Sequence, residues 1–191
     1  MLSVLVIDES RSRAGEICAG LALAGYQVAA ILAGAENLTA EVERLQPDVI
    51  LIDTDSPSRD TLENLAAMNK HMPRPVVVFT QEEAQDTMRD AVKAGVSAYV
   101  VDGLDPKRIK TIVDVARARF EDTQALRREL DEISQKLSDR KLVDKAKGVL
   151  MKARGLDEDA AYHAMRKLAM ERGQTMAKVA RDVIDMARVL L

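Results

Sequence analysis

Cysteine, histidine and aromatic residues are scarce in this chain of 191 residues. The single cysteine, Cys18, excludes an internal disulfide, and the two distant histidines, His71 and His163, give no spacing for a structural zinc site. The first residues, MLSVLVIDES, hold no basic segment and only a short apolar run before Asp8. A signal peptide or membrane anchor is therefore not predicted, and we expect a cytoplasmic protein with no membrane partner.

The rest of the composition, 47% hydrophobic and 31% charged, is typical of a folded, soluble protein. The net charge of −3 conceals an asymmetry. Residues 1–118 contain 12 basic and 18 acidic side chains, whereas residues 119–191 contain 16 and 13. Within the second part, residues 140–154 carry six basic side chains against Asp144 alone. The two parts are therefore expected to meet different partners.

Five short apolar runs, rich in β-branched residues, occupy the first part, and a helical pattern follows each of them. The runs are Val4–Ile7, Val28–Leu32, Val49–Ile52, Val76–Phe79 and Ala98–Val101. Because they are apolar throughout instead of alternating, they predict strands covered by helices on both faces. Residues 1–118 are therefore expected to form a (βα)5 doubly wound α/β domain. Thr80–Glu83 predicts a capping box before the fourth helix, and Asp105–Pro106 predicts the start of the fifth.

The second part carries only helical signals, so we expect it to be all-α. Nothing between Pro106 and Gly148 would break a helix, which lets the fifth helix continue out of the first domain. A seam of apolar residues at coiled-coil spacing predicts a stalk over residues 119–138 and a homodimer, formed by Leu126, Leu130, Ile133 and Leu137. The alternative is that the seam packs against other helices of the same chain.

Residues 139–191 are predicted to form a three-helix bundle. Gly155 is expected to end the long helix, Asp157 to cap a second helix that ends near Gly173, and Thr175 to cap a third. One face of the first of these helices is expected to pack inward through Leu142, Ala146, Val149, Leu150 and Ala153.

The carboxyl ends of the predicted strands form the expected functional edge of the sheet. The residues there are acidic or hydroxylated: Asp8, Glu9, Asp53, Asp55, Thr80 and Asp102. Asp8, Glu9 and Asp53 can converge on Mg²⁺, which takes oxygen ligands. Asp53 is then a candidate phosphoryl acceptor, with the Thr80 hydroxyl as a hydrogen-bond donor. For Glu9 and Asp55, capping of the following helices is the alternative. No other cofactor is expected to be required.

These residues, with Pro57 and the stretch GVSAYVV at 95–101, resemble the receiver domain of bacterial response regulators over residues 1–118. The resemblance implies a phosphoacceptor position at Asp53 and a switch formed by Thr80 and Tyr99. The family has a lysine directly after the fifth strand, where this chain has Asp102, and a small residue where it has Gln81. An anion in place of that cation disfavours a phosphoryl group, so we expect phosphorylation to be weakened or lost.

The remaining surface of the helix after residue 139 is strongly cationic. Candidate RNA-binding residues there and on the next helix are Lys141, Lys145, Lys147, Gly148, Lys152, Arg154, Arg166 and Lys167. A glycine inside a helix costs about 0.8–1.0 kcal/mol relative to alanine. Close approach of a phosphate backbone and close packing of a neighbouring helix are equally good reasons for Gly148. Tyr162, the single aromatic residue of the bundle, is expected in the core more readily than on a stacking surface.

The string AKGVLM at 146–151, with GLDEDAAY at 155–162 and the apolar residues that follow, resembles the ANTAR domain of transcription antiterminators. The combination of receiver, stalk and this module is similar to regulators of the AmiR and NasT type, and most similar to NasT-like regulators of nitrate and nitrite assimilation. The resemblance implies binding of paired hairpins in leader mRNA so that a terminator cannot form. It also implies dimerisation through the stalk and control by a sensor protein.

Three other function classes compete with this interpretation. A DNA-binding regulator would need a helix-turn-helix with an exposed recognition helix, which the continuous helix before Gly155 does not provide. A pure interaction module would expose apolar stripes where this chain has lysines. An enzyme is the least favoured class, because no nucleophile, base and orienting residue recur together outside the acidic edge.

Overall fold

The computed structural model of the protein describes residues 1–8, 14–81, 83–101, 105 and 107–190. The chain divides into two compact units, Met1–Gln124 and Ala125–Leu191. The predicted three-part division, with boundaries at 118 and 138, stays a prediction. In the described part of the chain, every helix is too short or too polar to cross a membrane.

The first unit is built on a five-stranded parallel sheet. Its strands are β1 (Ser3–Asp8), β2 (Gln27–Leu32), β3 (Val49–Asp53), β4 (Val76–Phe79) and β5 (Ala98–Val100), and its helices are α1 (Ala14–Leu23), α2 (Leu38–Leu45), α3 (Arg59–His71) and α4 (Gln85–Lys93). The strand order is β2-β1-β3-β4-β5, and every neighbouring pair is parallel. The predicted doubly wound α/β fold is confirmed.

Successive residues of the central strands contribute to cores on opposite faces of this sheet. On β1, Leu5 and Ile7 belong to the core on one face and Val4 and Val6 to the core on the other. The strands β1, β3 and β4 are buried almost throughout. This double coverage is the physical reason that their sequences are continuous apolar runs.

The fourth helix begins differently from the prediction. Helix α4 starts at Gln85 after Ala84, and no side chain caps it, so the predicted capping box from Thr80 to Glu83 is wrong. The Thr80 hydroxyl instead donates to the main-chain oxygen of Asp55, at 2.8 Å. Asp105 accepts a hydrogen bond from the main-chain N–H of Lys107 at 3.0 Å, but the fifth helix begins at Ile109, later than predicted. Pro106 lies outside the described residues.

A single helix, α5, runs from Ile109 to Arg154 and so passes through Gly148, as predicted. Helix α6 spans Glu158–Arg172 and α7 spans Met176–Leu190. The Asp157 carboxylate caps α6 by accepting from the N–H of Ala160 at 2.7 Å, and Gly173 ends it with a φ of 61°. The Thr175 hydroxyl accepts from the N–H of Lys178 at 3.2 Å. The predicted caps of α6 and α7 and the predicted end of α6 are confirmed.

The core of the second unit is small. It consists of Ala146, Met165, Ala169, Val179, Ala180 and Ile184. Of the predicted inward face of α5, Ala146 is in this core, Leu142 and Leu150 pack against it, and Val149 is half-buried. Ala153 is exposed, which contradicts the prediction. It lies in the last turn of α5 and lines an open groove beside α6 and α7 instead of the core.

Candidate nucleic-acid interface and receiver pocket

The carboxyl edge of the sheet places two of the predicted acidic residues side by side. Asp8 and Asp53 end the neighbouring strands β1 and β3 and are partners in the strand register. Both are almost completely buried. Parallel strands end at the same edge of a sheet, which is why residues 45 positions apart meet there. Glu9 and Asp102, also predicted at this edge, lie outside the described residues.

Thr80 and Tyr99, the predicted switch residues, occupy different environments. Thr80 is buried directly after β4, and its hydroxyl donates to the main-chain oxygen of Asp55 at 2.8 Å. The N–H of Gln81 donates to the same oxygen at 3.3 Å. Tyr99 lies on β5, partly buried against one core of the sheet. The hydroxyl therefore ties the segment after β3 to the end of β4.

The fit of the acidic edge to Mg²⁺ rests on two side chains. Asp8 and Asp53 can supply two adjacent carboxylates, the donor type that Mg²⁺ takes in proteins. Among the residues that the structure describes, no group of three metal-ligating side chains occurs. The third predicted ligand, Glu9, falls in the segment 9–13, which is not described.

The cationic stripe of α5 is exposed. Lys141, Lys145 and Lys152 project to solvent, and none of them forms an ion pair with any described residue. A Cβ added to Gly148, which lies among them, would meet no atom within 4 Å beyond the adjacent backbone of α5 itself. Packing against a neighbouring helix of the same chain therefore does not explain this glycine. The other predicted reason, close approach of a phosphate backbone, stays a prediction.

Lys147 differs from the other candidate RNA-binding lysines. Its ammonium lies 2.7 Å from the Asp144 carboxylate and 2.7 Å from the Glu158 carboxylate, and its side chain is 15% exposed. These hydrogen bonds raise the pKa of Lys147, and the bond from Lys147 lowers the pKa of Asp144. Lys147 thus joins α5 to the first turn of α6. The Asp144 to Lys147 spacing is visible in the sequence, but the approach of Glu158 is not.

We expect Lys147→Met to loosen the start of α6, because it leaves the carboxylates of Asp144 and Glu158 facing each other without a cation. Amide exchange in the first turn of α6 should become faster, as measured by hydrogen exchange of the full chain. Lys147→Arg should preserve protection, and Lys145→Met is the matched control. The Asp144–Lys147 pair within α5 is fully formed above the ordinary pKa of Asp144 and is lost as acid protonates that carboxylate. An unchanged rate of amide hydrogen exchange in Lys147→Met would contradict the role of Lys147 in joining α5 to α6.

On α6 the two predicted cations also differ. Lys167 lies 3.9 Å from Glu171, whereas Arg166 is exposed and has no carboxylate partner among the described residues. Tyr162 is 41% exposed, so the expectation that it is a core residue is wrong. Ala161 and Met165 fill the core at this level, and Tyr162 lies beside them on the flank of the helix. Arg154, at the end of α5, is exposed.

The predicted dimer seam is a row of exposed apolar side chains. The exposed fractions are 62% for Leu126, 64% for Leu130, 54% for Ile133 and 54% for Leu137. A large apolar side chain contributes about 1.5–3 kcal/mol when it is fully buried, so this row is costly to leave in water. The alternative, packing against other helices of the same chain, does not occur in the described residues.

Comparison with known proteins identifies both units. Residues 4–114 match the response regulator receiver domain, and residues 131–184 match the ANTAR domain. The transcriptional regulatory protein PdtaR of Mycobacterium tuberculosis is 29% identical over 161 residues, which are 84% of this chain and 78% of PdtaR. The nitrate regulatory protein of Klebsiella oxytoca is 36% identical over 75 residues, 39% of this chain and 19% of that protein.

Solved structures support the fold of the first unit. A CheY-like response regulator receiver domain protein from Methanospirillum hungatei superposes with a TM-score of 0.56 at 20% identity, covering 64% of this chain and 98% of that one. The receiver match alone spans more than half of the chain. The chain therefore belongs to the response regulators, and it joins a receiver domain to an ANTAR domain.

Proposed function

We propose that the protein is an RNA-binding regulator of transcription antitermination that binds hairpins in leader mRNA and prevents a terminator from forming. The observation that carries the proposal is the exposed cationic stripe of α5, where three lysines without ion-pair partners in the described chain surround Gly148. Lysines that are not already neutralised can replace the counterions of RNA phosphates, which is the main source of non-specific affinity. The open space beside Gly148 lets a backbone approach the helix closely.

The ANTAR match and the similarity to a transcriptional regulatory protein and a nitrate regulatory protein support this assignment. Nitrate and nitrite assimilation genes are the proposed target. The active form is proposed to be a homodimer through the seam of Leu126, Leu130, Ile133 and Leu137, so that two ANTAR domains can engage paired hairpins. RNA is favoured over duplex DNA because the stripe lies within one continuous helix, not on a recognition helix that follows a turn.

A gel shift tests the nucleic-acid preference. A synthetic leader RNA with two hairpins and duplex DNA of the same sequence are compared at equal salt. The proposal predicts retention of the RNA at protein concentrations that leave the DNA unshifted. Equal or tighter binding of the DNA would favour the DNA-binding alternative.

The receiver is proposed to respond to a bound sensor protein instead of to phosphorylation. Asp8 and Asp53 already share one edge of the sheet, and Asp102 adds an anion where receivers carry a lysine. If Mg²⁺ binds, Asp8, Glu9 and Asp53 would hold it, and it would screen their charges. A phosphoryl group on Asp53 would still lack its usual cationic partner. A sensor can shift the regulator only through unequal affinity for its two states.

Incubation with acetyl phosphate and Mg²⁺ should leave the mass of the protein unchanged, because the acidic edge disfavours another anion. Intact-mass spectrometry makes the measurement, and a lysine-containing receiver protein serves as the positive control. Asp102→Lys should increase adduct formation. A stoichiometric adduct in the parent chain that disappears in Asp53→Asn, together with tighter RNA binding, would overturn the proposal and favour a conventional phosphorylation-activated regulator.

A further inference from the structure

A groove bounded by α5, α6 and α7 leaves apolar surface of the second unit open to solvent. We call it the bundle groove. It has a volume of about 560 Å³, and twelve described residues line it. Nine of the twelve are apolar, among them Leu150, Met165, Leu168, Val183 and Met186. Met165 belongs to the buried core of the unit, whereas Met186 is 51% exposed. The groove therefore extends the apolar core out to the surface.

Small and flexible side chains leave room in the bundle groove. Each of its three helices contributes one alanine to the lining, and these are Ala153, Ala164 and Ala187. Ala153 and Ala164 are exposed, so the predicted inward face of α5 continues past the part that the other helices cover. The two lining methionines are unbranched and polarisable, and such side chains adapt to irregular apolar shapes. An apolar chain can therefore fill the groove.

The three charged residues that line the bundle groove leave one positive charge without a partner. Lys167 lies 3.9 Å from Glu171, so these two offset each other. Arg154 is exposed and has no carboxylate partner within the described part of the chain. A cation beside an apolar surface is complementary to a ligand that has an apolar body and one anionic group. The described lining holds no uncharged polar side chain, so a sugar or a nucleobase would lose hydrogen bonds to water without replacing them.

The size of the bundle groove favours a small molecule over a protein as its occupant. A stable protein interface involves about 20–30 residues on each side, well above the twelve that line the groove. Pockets for small molecules have volumes of about 300–1,000 Å³, are mostly apolar with a few polar groups, and occur between the helices of bundles. The groove meets all three conditions.

We propose that the bundle groove binds a small amphiphilic carboxylate, with its apolar chain between α5, α6 and α7 and its carboxylate paired with Arg154. This site is separate in chemistry from the lysine stripe of α5, which presents ammonium groups and no apolar surface. The inference goes beyond the proposed function and does not depend on it. Its test contains no RNA, so a negative result would leave RNA binding untouched.

The test titrates the full chain with octanoate and, separately, with 1-octanol, below the concentrations at which either forms aggregates. NMR of the methionine methyl groups reports the site. The signals of Met165 and Met186 should shift and saturate, and that of Met68, in the core of the first unit, should not. Arg154→Gln should weaken octanoate binding by about two- to fivefold, as expected for one exposed ion pair. It should leave 1-octanol binding unchanged, because the alcohol carries no charge.

Ala164→Phe places a ring in the bundle groove from an exposed position and should abolish the binding of both probes. Arg172→Gln is the matched control, because it removes an exposed cation of α6 that does not line the groove, and it should bind both probes like the parent chain.

Three results would overturn the inference. The first is the absence of a saturable shift at Met165 and Met186 in the parent chain. The second is an equal loss of octanoate affinity in Arg154→Gln and Arg172→Gln, or a shift at Met68 as large as that at Met165, since either would indicate non-specific adsorption. The third is a change of mass in Ala164→Phe by light scattering, which would identify the groove as an interface between copies of the chain.

Discussion

Replacing Lys141, Lys145 and Lys152 together with alanine should weaken leader RNA binding by about 100-fold near physiological salt. Each lysine is expected to make one phosphate contact. Each contact contributes about 0.7–0.9 to the magnitude of the slope of log affinity against log salt concentration. The magnitude of the total salt slope should therefore fall by about two to three. Titrations at several salt concentrations, read by fluorescence anisotropy, measure both quantities.

The chain offers a control with the same change in charge. Lys136, Lys178 and Arg188 are exposed, but each already lies within 4.0 Å of a carboxylate of its own helix. Their joint replacement by alanine should have a much smaller effect on affinity and on the salt slope. If this control weakens binding as much as the first triple variant, the affinity comes from overall charge and the α5 stripe is not the interface.

Leu130→Lys should convert a dimer to a monomer. Leu130 lies in the middle of the exposed seam, and a lysine there would place a charge between two helices without a partner. Burial of four such apolar side chains per chain would be the main driving force for the proposed pairing, so one central charge would offset a large share of it. Light scattering of the full chain measures the change as a halving of the mass.

Gln135→Lys provides the matched control for this variant. Residue 135 lies on the side of α5 opposite the seam, where it is exposed and donates to Asp139. This variant should remain dimeric, because its new charge stays in water. A dimer that survives Leu130→Lys, or a parent chain that is monomeric at the same concentration, would contradict the proposed seam.

The fold could be predicted from the sequence because the relevant signals are local and repeated. Continuous apolar runs predict buried parallel strands, and the residues around Gly155, Asp157 and Gly173 mark helix ends through well-defined main-chain geometry. The predicted capping box at Thr80 is wrong because of a contact that no local sequence pattern indicates. The hydroxyl of Thr80 bonds to Asp55, which is distant in the sequence and is brought near by strand pairing.

The sequence predicts the positive charge of the α5 stripe but not which of its cations form ion pairs. The charge of residues 140–154 indicates a cationic helix, yet the sequence does not distinguish Lys147, which two carboxylates neutralise, from Lys145, which is free of ion pairs in the described chain. That distinction depends on the packing of α6 against α5, which brings Glu158 to Lys147. The prediction that Tyr162 lies in the core is wrong for a similar reason, since smaller side chains fill the core beside it. Glu9 and Asp102, on which the expectations for the receiver pocket depend, are outside the described residues.

Transcription in a purified system distinguishes an antiterminator from a protein that only binds RNA. The template carries the two leader hairpins upstream of a terminator, and the ratio of full-length to terminated transcript is measured with and without the protein. The parent chain should raise this ratio, and the triple variant of Lys141, Lys145 and Lys152 should not. A ratio that the parent chain leaves unchanged, while it binds the leader RNA, would contradict antitermination as the function of this protein.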